Sequence, residues 1–378
     1  MKRLTENILY FLLLILCLGF VNLSASAISV NGEEPSHSME LEYAEQFSVD
    51  YYPDGSKLLT LGDSRQQFLL VPAGSEIPSG LPENIVPLNK PVKNIYLAAT
   101  AVMCLFDAMD RLDAIRLSGT KEDGWYIEGA RKAMQDGSII YAGKYSEPDY
   151  ELLLENECSL AIESQMIYHK PEVKEKLEEL GIPVIVDLSS AETHPLGRTE
   201  WIRFYGALLD EEEKADQLFT EQTGYLNSTA SGGSTGKTAA FFYINSANMV
   251  VVRKSGDYVS KMIELAGGNY VFDNIGDPEK STATASIEME TFFAAARDAD
   301  VIFYNSTIAG EVNDLAELIA KNPLLAEFRA VKEGNVWCTA QNMYQDTTNL
   351  GQMIQSFHLI FSGEAENQDE LPYFFRLK

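Results

Sequence analysis

From residue 92 onward, short apolar runs of the kind found in buried strands alternate with segments whose apolar residues recur at helical spacing. In PEVKEKLEELG, Val173, Leu177 and Leu180 stand at i, i+4 and i+7, and Gly181 ends the pattern. The apolar run IPVIVDLS follows directly, as a strand would. Helices and strands that alternate in this order predict an α/β fold, with a mainly parallel sheet covered by helices on both faces.

Residues 28–91 follow a different pattern. A polar stretch comes first, and segments that alternate between apolar and polar positions follow it. The turn sequence Pro53-Asp54-Gly55 separates two such segments, which is typical of a β-hairpin. We therefore expect residues 28–91 to form a polar leader and β-hairpin extension, placed as an edge or lid on the α/β part.

Residues 199–228 contain no proline and no strand signal, and their apolar residues keep helical spacing. A helix of this length would span about 45 Å, which is the size of a domain. The order of elements before it is repeated after it, since DYELLLENE with CSLAIES parallels EMETFFAAARDA with DVIFYNS. The chain is thus predicted to form two similar α/β lobes, residues 92–196 and 238–378. One long interlobe helix, residues 197–229, would join them, with a ligand cleft between the lobes.

The stretch SGGSTGKT, residues 231–238, matches two catalytic motifs. Ser234 fits a hydrolase nucleophile elbow, and Lys237 fits the end of a phosphate-binding P-loop. Both motifs need a strand before them and a helix after them, and here the predicted order is reversed. Residues 230–237 are therefore interpreted as a flexible Gly/Ser linker. A secreted serine hydrolase that uses Ser234 remains an alternative.

The N-terminus has the three parts of an export signal: a basic start, the apolar run ILYFLLLILCLGFV, and the ending Ala25-Ser26-Ala27. Residues 1–27 are thus predicted to be a signal peptide, and the protein is expected outside the cytoplasm, in the periplasm or at the cell surface. Cys17 follows Leu16, whereas the cysteine of a lipoprotein signal usually follows a small residue. Lipid anchoring through Cys17 is left open.

The chain is strongly acidic, with 29 basic and 56 acidic residues and a net charge of −27. Such a surface repels nucleic acid and anionic membranes, so neither is an expected partner. An anionic ligand would need local arginines or lysines to hold it. No catalytic residues, resident cofactor or metal site are predicted. A free-metal-ion carrier that uses His169, His194 and His358 is kept as a second alternative.

Aromatic, amide and arginine residues recur in the loops that follow the predicted strands. In open α/β sheets, ligands bind beyond the carboxyl ends of the strands. The candidate ligand-binding residues are Thr100, Trp125, Tyr126, Tyr145, Gln165, Tyr168, Arg198, Asn245, Arg253, Asn305 and Tyr344. Arg198 and Arg253 are predicted to hold anionic groups. The predicted aromatic walls of the cleft are Trp125, Tyr126, Tyr168 and Tyr344.

Two stretches, HPLGRTEWIRFYGALLDEEEKADQLF and VVRKSGDYVSKMIELAGGNYVFDN, resemble the substrate-binding proteins of ABC importers for iron–siderophore, haem and cobalamin uptake. The resemblance implies a monomer that binds a metal chelate: a ferric siderophore, haem, or alternatively a corrinoid. The single connecting helix predicts a stiff hinge between the lobes. The resemblance also implies that an acidic residue on each lobe docks onto the importer's permease. Glu151 matches the first of these positions and Glu290 the second, with Glu288 as a competitor.

Overall fold

The computed structural model describes residues 28–62, 66–280, 283–365, 368 and 370–378. The predicted signal peptide, residues 1–27 with Cys17, lies outside the described residues. Within them, no helix combines the length and the apolar character needed to cross a membrane.

The first lobe is built on a five-stranded parallel sheet, in the order β12-β11-β6-β7-β8. Its strands are β6 (Ile95–Leu97), β7 (Ile115–Ser118), β8 (Ile140–Tyr141), β11 (Leu160–Ser164) and β12 (Val184–Asp187). A small hairpin, β9 (Gly143–Lys144) with β10 (Glu147–Pro148), lies outside this sheet. The strand cores are buried because they are apolar at nearly every position, as strands covered on both faces must be.

The second lobe carries a mixed sheet in the order β16-β14-β13-β17-β18-β20-β19, with β15 also paired to β13. Its strands are β13 (Thr238–Ile244), β14 (Val250–Arg253), β15 (Asn269–Tyr270), β16 (Thr284–Ile287), β17 (Val301–Tyr304), β18 (Val336–Thr339), β19 (Glu370–Leu371) and β20 (Phe374–Arg376). The central strands β13, β17 and β18 are parallel, and antiparallel strands extend the sheet on both sides. The prediction of two α/β lobes is confirmed.

Twelve α-helices connect or cover the strands of the described residues. They are α1 (Met103–Ala108), α2 (Glu128–Gln135), α3 (Tyr150–Glu155), α4 (Pro171–Glu179), α5 (Pro195–Leu209), α6 (Glu212–Ser231), α7 (Tyr258–Leu265), α8 (Met289–Ala296), α9 (Ser306–Ala309), α10 (Leu315–Lys321), α11 (Arg329–Glu333) and α12 (Leu350–Ser362). The two lobes repeat the same order of elements, as predicted, because α3 is followed by β11 just as α8 is followed by β17.

The leader forms a sheet of its own, in the order β1-β2-β3-β4-β5. Its strands are β1 (His37–Ser38), β2 (Phe47–Tyr51), β3 (Lys57–Leu61), β4 (Gln66–Val71) and β5 (Ile85–Asn89). The predicted hairpin at Pro53-Asp54-Gly55 is present as β2 and β3, but it is only part of this five-stranded sheet. Because strand side chains alternate between faces, one face packs onto the first lobe, and the other face forms a separate small cluster.

Two buried carboxylates, Glu200 in α5 and Glu192 in the segment before it, accept hydrogen bonds from the backbone of the leader. Glu200 accepts hydrogen bonds from the backbone N–H groups of Glu42, Tyr43 and Ala44 at 2.7–2.8 Å. Glu192 accepts from the backbone of Glu45 and Gln46 and from the Trp201 indole. These carboxylates satisfy backbone donors that the leader's irregular stretch would otherwise bury without partners. The leader is therefore an integral part of the first lobe and not a lid.

The prediction of one long interlobe helix is wrong, since the chain breaks at Asp210 into α5 and α6. Asp210 adopts a left-handed conformation, with φ 60°. Lys57 donates to the Ala207 carbonyl at 2.9 Å and to the Asp210 carboxylate at 2.7 Å, and Arg111 donates to the Leu209 carbonyl at 2.7 Å. Cations from distant segments thus satisfy the last carbonyls of α5, where the helix dipole favours positive charge.

The two helices fold back on each other as a hairpin. A Cβ at Gly206 would lie 2.6 Å from the Cβ of Ala215, so only glycine permits this close approach. α6 then packs along α12 of the second lobe, where Gln222 bonds to Asn349 and to the backbone of Gln352. The connection between the lobes is therefore a helical hairpin, which packs on the first lobe through α5 and on the second lobe through α6.

One segment boundary also differs from the sequence predictions. α6 extends through Ser231, so the Gly/Ser linker is shorter than residues 230–237 and runs from Gly232 to Lys237. The helix before it and strand β13 after it are as predicted. Beyond α12, the chain returns as the hairpin β19–β20 on the edge of the second sheet.

Candidate functional site

A cavity of about 460 Å³ lies between the two lobes. Its lining comes from both lobes and from the start of the helical hairpin. The lining residues are Ala101, Ser190, Arg198, Arg253, Asp257, Tyr258, Ala283, Ile308, Tyr344 and Thr347. Several of them follow the carboxyl ends of strands, which is where ligands bind in open α/β sheets. The cavity is therefore the interlobe cleft that the sequence predicted.

Arg253 lies at the end of β14 and is buried. Its guanidinium donates to the Tyr344 hydroxyl and, at 3.4 Å, to the carboxylate of Asp257, which also caps the N-terminus of α7. Burial alone would lower the pKa of Arg253, but Tyr344 and Asp257 outweigh burial and raise it above its usual range. Burial raises the pKa of the Asp257 carboxyl. Arg253 is thus a fixed positive charge with at most one compensating negative charge.

Arg198 projects from the first turn of α5 onto the second lobe. Its guanidinium lies 4.0 Å from the centre of the Tyr258 ring and donates to the Ser190 carbonyl at 2.8 Å. Its Nε is buried and has no hydrogen-bond partner in the part of the chain that the structure describes. Within the described part of the chain, no carboxylate pairs with Arg198. The cavity therefore contains two guanidinium groups and one carboxyl group, and its net charge is positive inside a strongly acidic protein.

The structure brings together some of the predicted ligand-binding residues. Arg198, Arg253 and Tyr344 line the cavity. Gln165 lies behind it, where it accepts a hydrogen bond from Ser190 at 2.8 Å. Asn245 lines a neighbouring pocket of the second lobe.

Other predicted residues lie away from the cavity lining. Thr100, Tyr126 and Tyr168 are exposed at the carboxyl edge of the first sheet, and Tyr145 is half-buried at the turn of the β9–β10 hairpin. Asn305 is fully buried and does not line the cavity. Its side-chain amide donates to the hydroxyl of Tyr344, a lining residue, at 3.0 Å.

The interpretation of Trp125 as an aromatic wall is wrong. Its side chain is 1% exposed, belongs to the core of the first lobe, and donates to Ser118 Oγ at 3.3 Å. An indole is large and apolar, so burial in the core competes with exposure in a cleft, and the loop position alone could not decide between them.

Sequence reasoning missed Asp257, Tyr258, Ser190 and Thr347. Asp257 is the N-cap residue of α7 and Tyr258 is its first residue, and a capping residue before a run of helical spacing is a usable sequence signal for a helix start. Thr347 carried no such signal. Its position depends on an interlobe contact, since its hydroxyl donates to the Ala101 carbonyl at 2.7 Å and its own carbonyl accepts from Thr199.

The two alternative chemistries find no support in the geometry. Across the described residues, no group of three or more His, Cys, Asp or Glu side chains could hold a metal ion. His194 stacks on Tyr43 and accepts from the backbone of Leu196, whereas His358 bonds to the Ala266 carbonyl. Ser234 is exposed in the linker, where its hydroxyl accepts from the Gly236 backbone.

Comparison with known proteins gives a consistent result. The sequence model of a protein family described as periplasmic binding protein matches residues 117–342, which is more than half of the chain. An uncharacterized lipoprotein of Methanocaldococcus jannaschii is 26% identical over 333 residues, covering 81% of this chain and 77% of the relative. A second uncharacterized lipoprotein of that organism is 25% identical over 355 residues, covering 89% and 87%.

Solved structures share the fold at low sequence identity. A periplasmic binding protein from Veillonella parvula superposes with a TM-score of 0.60 at 16% identity, covering 82% of this chain and 96% of that one. The periplasmic heme binding protein HutB of Vibrio cholerae gives a TM-score of 0.57 at 17% identity, covering 69% and 97%. An Fe3+-hydroxamate transport protein from Saccharomonospora viridis gives 0.54 at 18% identity, covering 71% and 92%.

Proposed function

Because this chain belongs to the periplasmic binding protein family, and is therefore a solute-binding protein and not an enzyme, we propose that it captures an iron chelate outside the cytoplasm. The chelate would be a ferric siderophore or haem, and the protein, acting as a monomer, would deliver it to an ABC importer. Neighbours of the same fold named for heme and for Fe3+-hydroxamate support this ligand class. The relatives named as lipoproteins support the extracytoplasmic location.

The observation that carries the proposal is the positive charge of the interlobe cavity. Among the described residues, Arg198 has no carboxylate partner, and its Nε has no hydrogen-bond partner. A buried charge without a partner is costly, so an anionic ligand that reaches Arg198 would be bound strongly. Carboxylate, catecholate and hydroxamate oxygens of iron chelates are suitable partners. The protein as a whole is strongly acidic and repels anions at long range, so a cavity with local positive charge is a favoured place for one.

Replacing Arg198 with glutamine is expected to weaken binding of an anionic iron chelate by about 10- to 100-fold. A hydrogen bond to a charged group contributes about 1.5–3 kcal/mol, and glutamine removes the charge while keeping a polar side chain. Intrinsic-fluorescence titration of the purified protein with haem, ferric citrate, ferrioxamine B and cyanocobalamin measures the affinities.

The matched control is Arg131→Gln, which makes the same charge change at an exposed position of α2. Its affinities should equal those of the wild type. If Arg198→Gln bound every probe as tightly as the control, the anion role of the cavity would be excluded. Tight binding of cyanocobalamin alone would favour a corrinoid carrier, and failure to bind any of the four probes would reject the ligand class.

We further propose that Glu151 and Glu290 dock the two lobes onto the permease. Both are exposed in the first turns of helices that precede buried strands, α3 before β11 and α8 before β17. Glu288, the competitor, is also exposed and is the N-cap residue of α8. Matching positions on two similar lobes suit a permease with two similar halves.

The double variant Glu151→Lys with Glu290→Lys is expected to reduce delivery to the importer at least tenfold, because like charges then face the permease arginines. Uptake into proteoliposomes that contain the importer measures delivery, and fluorescence titration should show unchanged ligand affinity. Reversing Glu175 and Glu333, which are exposed elsewhere, is the control. Equal uptake by both double variants would reject this docking pair, and the single variant Glu288→Lys tests the competitor.

A further inference from the structure

A second pocket, of about 540 Å³, adjoins the interlobe cavity on the second lobe. Its lining residues are Tyr243, Ile244, Asn245, Ser246, Asn248, Ile308 and Lys321. Ile308 also lines the interlobe cavity, so the two spaces meet at this side chain. Its side chain is 56% exposed, and it lies in the short helix α9 after β17. The shared wall between the two spaces is thus apolar and open to a ligand.

The second pocket differs from the protein's general surface in its charge. No acidic residue is among its lining residues, although the chain has 56 acidic residues against 29 basic ones. Lys321, at the end of α10, supplies a positive charge and is half-buried. Its ammonium lies 5.4 Å from the centre of the Tyr304 ring, and it forms no ion pair with any residue that the structure describes. An aromatic ring compensates a cation only weakly, so this charge remains available.

The polar groups around Lys321 are suited to oxygen atoms. Asn245 uses its side-chain oxygen to hold the turn after β13, accepting from the backbone of Ala247 and Met249 at 2.9 and 3.0 Å. Its amide NH₂ is thereby left as the donating end. The hydroxyls of Tyr243 and Ser246 and the amide of Asn248 complete the lining. An ammonium with several neutral donors around it binds a carboxylate.

We propose that this pocket is a second anion subsite, which takes a carboxylate-bearing arm of the ligand while the first anionic group lies at Arg198 and Arg253. The apolar part between the two groups would cross Ile308. This inference rests on the proposed function and narrows it: the ligand is a chelate with at least two separated anionic groups. Two positive sites separated by an apolar wall select such a ligand over a chelate with a single anionic group.

Two pairs of probes, each with one carboxylate member and one carboxylate-free member, test this subsite. Haem is compared with haem dimethyl ester, and ferric citrate with ferrioxamine B, which contains no carboxylate. Each is titrated against the wild type, Lys321→Gln and the control Lys132→Gln, which is an exposed lysine on α2. Lys321→Gln is expected to weaken binding of the carboxylate member about tenfold and to leave the carboxylate-free member unchanged. Lys132→Gln should change neither.

The outcomes separate this inference from the function on which it rests. If the wild type binds a carboxylate probe but Lys321→Gln binds it equally well, the second subsite is excluded and the proposed function stands. An equal loss for both members of a pair also excludes a carboxylate subsite, since the effect would then be structural. If the wild type binds none of the four probes, the proposed function fails and the inference fails with it. A selective loss in Lys321→Gln supports both.

Discussion

Replacing Glu163 with glutamine is expected to make the protein more stable by about 5 kcal/mol above pH 8, and by no more than about 1 kcal/mol near pH 5. Glu163 lies in β11, its side chain is fully buried, and neither carboxylate oxygen accepts a hydrogen bond from any residue that the structure describes. Burial raises the pKa of this carboxyl from 4.5 to about 8. Glutamine has nearly the same shape but carries no charge at any pH.

The direction of the effect follows from proton binding in the two states. Between pH 4.5 and about pH 8, the folded protein keeps a proton on Glu163 that the unfolded chain has released. The free energy of unfolding therefore falls by about 1.4 kcal/mol per pH unit across this range. Above the folded-state pKa, Glu163 is ionised in both states, and the free energy of unfolding no longer changes with pH through this group. Glutamine does not ionise, so the variant avoids this loss of stability. The difference in the free energy of unfolding between variant and wild type should therefore grow with pH and then level off.

Urea unfolding of both proteins at pH 5, 6, 7, 8 and 9 measures this difference. Other buried acids titrate alike in the two proteins and cancel. Glu155→Gln, an exposed change at the end of α3, is the control and should show no pH-dependent difference. A constant difference between Glu163→Gln and the wild type from pH 5 to pH 9 would show that Glu163 does not titrate with a raised pKa.

Replacing Glu200 with alanine is expected to destabilise the folded protein by about 3–5 kcal/mol. The Glu200 carboxylate is fully buried and accepts from three consecutive backbone N–H groups of the leader. Arg203 also donates to it at 3.1 Å. Alanine would leave Arg203 with fewer acceptors and the three N–H groups without partners, and unsatisfied buried donors are costly.

Urea unfolding gives the loss of stability, and limited proteolysis shows where it acts. Cleavage within residues 39–46 should appear in Glu200→Ala before any cleavage in the second lobe. Glu213→Ala, an exposed change on α6, serves as the control. A loss below 1 kcal/mol, with no new cleavage in the leader, would contradict the structural role assigned to Glu200.

The location of the cleft between the lobes could be predicted from the sequence, but only some of its lining residues could. Arg198, Arg253 and Tyr344 were found because loops after strands in an α/β fold meet at one edge. Trp125 was assigned wrongly because its loop position is equally compatible with core packing, and the structure places it in the core. Thr347 was missed because only the docking of the second lobe onto Ala101 brings it to the cavity.

The two α/β lobes, their order and the linker between α6 and β13 can be predicted from the sequence alone. These follow from apolar periodicity, which is local and is set by the need to bury one face of each element. The break at Asp210 and the attachment of the leader depend instead on contacts made in the folded chain. Neither glycine nor proline marks that break, and the helix ends there because Lys57 and Arg111, remote in sequence, satisfy its last carbonyls. Contacts between distant segments leave no periodic signal, so they appear only once the chain is folded.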